Sequence, residues 1–129
     1  MSYKGPFNLN ADFESGTHTP TLTNVANVSS STAFPCHYMR VGNVVTVSGR
    51  VRFTPSAVDT NTAFRMSIPV ESNFGGMGNA GGTFSSYTTT NTNAGGVYAD
   101  SATNTVLFAT RSSSTALVDY AFTFTYQVI

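Results

Sequence analysis

Apolar and polar residues alternate along much of this chain. In "NVVTVSGRVRFTP", residues 43 to 55, one set of alternate positions holds Val45, Val47, Gly49, Val51 and Phe53. The other set holds Val44, Thr46, Ser48, Arg50, Arg52 and Thr54. That period predicts a strand with one face buried, in an antiparallel sheet. The last ten residues, "YAFTFTYQVI", repeat the pattern more strictly. Tyr120, Phe122, Phe124, Tyr126 and Val128 are expected to face a core, with Ala121, Thr123, Thr125 and Gln127 facing out. A strand of this quality predicts a central element that closes the sheet rather than a fraying end.

Further strands are expected at 19–28, 63–70, 82–88, 95–100 and 105–111. In the second of these, Phe64, Met66 and Ile68 share a face opposite Arg65 and Ser67. Breakers rich in Gly, Asn, Ser and Thr separate the runs, as in "PSAVDTNT", "GGMGNAGG" and "TNTNAGG". No stretch places apolar residues at helical spacing, and β-branched residues, Gly and Asn are frequent throughout. About eight short strands with regular turn signals predict an all-β fold, an antiparallel β-sandwich or jelly-roll-like domain.

The register of one hairpin follows from parity. Gly42-Asn43 suits a two-residue turn, with Gly supplying positive φ. Such a turn puts Phe34, Cys36 and Tyr38 on the face of Val47, Gly49 and Val51, whereas a three-residue turn puts Pro35, His37 and Met39 there. A one-residue slip exchanges the two faces of a strand. The first choice buries the more apolar set, so Cys36 is expected inside and His37 outside. Residues 1 to 16 carry no clean alternation and read as an extended arm, with residues 17 to 129 as the domain.

Composition narrows the functional classes. Only 9% of residues are charged in this 129-residue chain, against roughly 25% in ordinary proteins. Six basic and six acidic residues cancel. Nucleic acid and anionic membrane surfaces both call for a basic excess, so neither is an expected partner. A surface rich in Ser, Thr and Asn with few charges suits a protein partly covered by partners, the favoured reading, or one working outside the cell. One cysteine excludes an internal disulfide. No apolar run approaches transmembrane length, and the first residues lack the apolar segment of a signal peptide, which predicts synthesis in a cytoplasm.

Candidate chemistry is sparse. Cys36 and His37 are neighbours, and on a strand they point to opposite faces, so they do not form a nucleophile–base pair or hold one metal. The acids Asp12, Glu14, Asp59, Glu71, Asp100 and Asp119 are scattered one to a segment. Glycoside hydrolysis needs two facing carboxylates, and Trp, the common sugar-stacking residue, is absent. No enzyme activity and no cofactor are expected. "GGMGNAGG" lacks the Lys-Ser/Thr of a phosphate loop and reads as an inter-strand loop, or one that orders against a neighbouring subunit. Asn27-Val28-Ser29 matches a glycosylation acceptor by chance. Arg50, Arg52 and Arg65 read either as solubilising charges or as scarce cations placed to meet acidic groups on a partner.

The run "GTHTPTLTNVANVSSSTAFPCHYMRVGNVVTVSGRVRF" and the ending "YAFTFTYQVI" resemble a β-rich domain of tailed-bacteriophage virion proteins. Pro20, Thr21 and Leu22, leading to Tyr38, Met39, Arg40, Val41, Gly42 and Val47, carry the resemblance. It runs from about residue 16 to residue 129, and residues 36 to 49 are its most specific part. It implies a capsid cement or decoration protein on the virion surface, made in the host cytoplasm. Its implied partners are the major capsid protein and itself, as a homodimer or homotrimer. No long fibre shaft accompanies the domain, which leaves anchoring to the arm through Tyr3, Lys4, Phe7, Leu9 and Phe13. Two other classes compete: a tail-fibre tip that recognises host-surface carbohydrate, and a hydrolase of such carbohydrate.

Overall fold

A computed structural model describes residues 13–87 and 93–129. Its ten strands are β1 (Phe13–His18), β2 (Leu22–Ala26), β3 (Val28–Ala33), β4 (Cys36–Val41), β5 (Val44–Pro55), β6 (Asn61–Met66), β7 (Ala80–Ser86), β8 (Ala94–Asp100), β9 (Thr105–Arg111) and β10 (Val118–Gln127). Among the described residues the only helical element is one 3₁₀ turn, Met77–Asn79. All pairings are antiparallel, in the order β1-β4-β5-β10-β7-β8-β9-β6-β2, and β3 pairs with the far half of β5.

The sheet curls on itself. Phe53 of β5 and Phe64 of β6 are separated by four intervening strands, yet their rings lie 5.0 Å apart. Phe108 of β9 likewise meets Phe122 and Phe124 of β10, at 5.3 and 6.1 Å. These rings, with Val45, Val47, Val51, Val106 and Tyr126, fill the enclosed core. Polar bonds stitch the margins of the curl. Ser67 N–H donates to the Thr21 carbonyl, and His18 Nε2 lies 3.3 Å from the Ser67 carbonyl oxygen. Ser31 Oγ donates to Asn24 Oδ1 at 2.7 Å, joining β3 to β2.

The hairpin register is the one that the two-residue turn requires. Val41 pairs with Val44, Gly42 has φ +59°, and Cys36 is fully buried while His37 is exposed. Gly49 opposes Cys36 because no other residue fits: a Cβ there would lie 2.5 Å from the Cys36 Cβ.

Four expectations need correction. The described residues form ten strands, not about eight. The run 19–28 is two strands, because the chain reverses at Asn27, whose φ is +55°. And β1, starting at Phe13, lies in the stretch read as patternless. Its inward position Gly16 is nearly bare because the Tyr38 ring occupies that space, 3.2 Å from where a Cβ would stand.

Phe34 is the fourth correction, since it does not share the Cys36 face. Ala33 pairs with Val51 and His37 with Ser48, so four steps on one side span three on β5. The extra residue at Phe34-Pro35 is a bulge, and it moves Phe34 to the outer face. There its ring lies 3.8 Å beneath the Arg50 guanidinium.

Candidate functional site: an uncharged sheet face

Strand alternation that fills the core also fixes what faces out from β1, β4, β5, β10 and β7. Pairing registers align these outward residues in rows across the strands. Phe13, Val41, Val44 and Gln127 form one row. Ser15, Met39, Thr46, Thr125 and Gly81 form the next. Thr17, His37, Ser48, Thr123 and Thr83 form the third. Every one of these residues is exposed. None is Asp, Glu, Lys or Arg. The apolar corner is prominent, with Met39 and Val41 each 48% exposed and Val44 44%. Thr46 and Thr125 hydroxyls bond to each other at 3.2 Å across β5 and β10. A shallow groove of about 650 Å³ runs along Ser15, Thr17, His37, Met39, Thr46 and Ser48.

Charge begins at the edge of this face. Asp119 on β10 accepts from Arg52 Nε at 2.6 Å and Nη2 at 3.2 Å, and from Arg50 Nη1 at 3.3 Å. Phe34 lies under both guanidiniums, closer to Arg50. The Arg52 hydrogen bonds hold the Asp119 carboxyl below the ordinary carboxylate range, against the opposing effect of its partial burial. On the opposite wall Arg65 Nε donates to Asp100 Oδ2 at 2.7 Å and lowers that carboxyl in the same way. Arg50, Arg52 and Arg65, expected to meet a partner's acids, therefore meet acids of their own chain. Arg111 pairs with Asp59. The sequence did not disclose Asp119 as the common acid, because the register that sets it opposite Arg52 is not visible in either strand alone.

Of the expected arm contacts, Tyr3, Lys4, Phe7 and Leu9 lie outside the described residues. Phe13 is 39% exposed and belongs to the uncharged face, paired with Val41. Ser15 and Thr17, which the sequence reading did not single out, join it there.

Other sequence features have structural roles. Asn27 Nδ2 donates to the Ala57 carbonyl, Thr62 Oγ1 and Ser112 Oγ, so the glycosylation-like triplet has its amide nitrogen engaged. In "GGMGNAGG", Asn79 Oδ1 accepts from Gly75 and Gly76 N–H, closing the loop on itself. Burial raises the Cys36 thiol pKa, and its Sγ donates to the His18 carbonyl. Among the described residues no three His, Cys, Asp or Glu side chains converge as metal ligands. No protein-family model, curated protein or solved structure matches the chain.

Proposed function

We propose that this is a virion structural protein: a capsid cement or decoration protein that binds the major capsid protein and itself on the head surface. The observation that carries the reading is the broad, exposed, uncharged face. It is bordered by arginines already satisfied within the chain, and it suits a protein that works by burying surface. The resemblance stated above supplies the virion context, and the curl, which sets β5 and β10 across the core from β9 and β6, is compatible with a sandwich or jelly-roll reading. Residues 1 to 12 are assigned the anchoring contact with the shell.

Immuno-gold labelling of particles tests the location. Label over the head is expected, and label confined to the tail overturns the cement reading. Deleting residues 1 to 12 is expected to leave a folded protein that no longer decorates particles. Full occupancy by the truncated protein removes the arm from the anchoring role.

A second reading, a tail-fibre tip for host-surface carbohydrate, is favoured by the groove beside His37 and Met39, which has the volume of a small-ligand site. Tail labelling together with glycan binding that Thr46→Trp abolishes would select it.

A further inference from the structure

We propose that a second copy of this chain docks on the uncharged face of β1, β4, β5, β10 and β7. This rests on the self-association part of the reading above and assigns it a surface.

Size is the first argument. Strands lie about 4.8 Å apart, and same-face residues about 6.8 Å apart along a strand. Five strands and three rows then span roughly 24 Å by 20 Å, or about 500 Å² of flat area. A standard interface takes about 800 Å² from each partner, with a charge-depleted centre and a polar rim. The three rows match such a centre in extent. The Arg50–Arg52–Asp119 cluster beyond the third row supplies a polar rim.

Charge is the second argument, and it selects the occupant. In a two-fold interface each residue near the axis meets its own copy, so a charged centre sets like charges together. A face without Asp, Glu, Lys or Arg avoids that repulsion. A different partner on this face would normally be selected by complementary charge; the three rows present none, which leaves the shell contact to residues 1 to 12.

Exposed apolar side chains are the third. Phe13, Met39, Val41 and Val44 form one contiguous corner on a chain with little charge elsewhere to keep it dispersed. Such patches mark association sites.

Sedimentation velocity of the purified 129-residue chain tests the proposal. The wild type is expected at a multiple of its 13.6 kDa mass. Thr123→Arg places a charge in the third row and is expected to weaken association at least about tenfold. Met39→Glu is the second variant, at a position 48% exposed, and should act alike. Slow thiol labelling of Cys36 certifies that each variant is folded. Ala102→Arg, on the exposed turn between β8 and β9, should leave association unchanged. A monomeric wild type, or folded charged variants that associate as tightly as wild type, overturns the assignment. Co-sedimentation with undecorated shells separates the two readings. An oligomer that ignores shells defeats the cement function and leaves this face standing. A monomer that binds shells does the reverse.

Discussion

Phe34 and Cys36 are two residues apart, yet one lies under an arginine outside the sheet and the other is sealed in the core. Single residues of this kind decide local geometry here, and Asn27 is the sharpest case. It holds a left-handed φ of +55°, its side-chain N–H groups reach three oxygens, and its Oδ1 accepts from Ala57 N–H. Asn27→Gly keeps the backbone freedom and loses the bonds; the two partly buried contacts, to Thr62 and Ser112, contribute roughly 1 kcal/mol each, so a loss of about 2 kcal/mol is expected. Asn27→Ala adds a left-handed penalty of about 1 kcal/mol. Urea midpoints should therefore order wild type, Gly, Ala, and equal values for the two variants would show that the backbone conformation costs nothing. Asp119 gives a pH prediction. Its native pKa is depressed by Arg52, so the stabilisation is present above the ordinary value of about 3.9 and is lost as pH falls through the lower native value. The Asp119 side chain is 22% exposed and Arg52 35%, so solvent screening holds the contribution to about 1 kcal/mol or less. Between neutral pH and about pH 3, Asp119→Asn should lose less stability than wild type. Parallel losses would show that the pair is not coupled to folding.

At the scale of elements, β10 dominates. It pairs with β5 along one side and β7 along the other, and its inward residues Tyr120, Phe122, Phe124 and Tyr126 are all buried. Phe124 is 1% exposed; its ring stacks with Phe122, meets Phe108 edge-on and lies tilted against Tyr126. Phe124→Ala is expected to cost about 3–5 kcal/mol, out of a total of roughly 5–15 kcal/mol for a domain. Thr125→Ala, on the outer face, should cost under about 1 kcal/mol. Chemical denaturation of the two variants decides whether the strand is buried on one side, and comparable losses would refute that. The strand's end is held as well. Ile129 N–H donates to Ser72 Oγ, Asn73 N–H donates to the Ile129 carbonyl, and the buried Tyr126 hydroxyl bonds Val70, its pKa raised to about 12 by burial.

For the whole molecule the governing feature is the curl. It brings β5 against β6 across the core and joins the margins through Thr21, Ser67 and His18. Cys36 reports on that closure. Its side chain has no solvent exposure, and burial raises its pKa, so both access and thiolate fraction are low. A thiol reagent should label it slowly in native protein and rapidly in denaturant. Rapid native labelling would mean that β1 and β4 open independently of the core. Curling also separates two surfaces with different chemistry: one wall carries Arg65 and Asp100, the other the uncharged rows.

The alternation in residues 43–55 and 120–129 determined, without any coordinates, that the fold is antiparallel β and which side of β5 and β10 is buried. A period of two has only one consistent inside when one set is Val and Phe and the other Thr and Arg. Gly42-Asn43 likewise set the β4–β5 register, because turn length and parity leave two choices and only one buries the apolar set. β1 was not legible, since its inward Gly16 is apolar in effect only through the Tyr38 ring laid over it. Nor was the face of Phe34, which depends on one extra residue opposite β5. The partners of Arg50, Arg52 and Arg65, and the assembly of Ser15, Met39, Thr46 and Thr123 into one uncharged surface, came from tertiary structure alone. Strands far apart in sequence become neighbours only through the sheet order, and a residue's charge environment is set by that order rather than by its own segment.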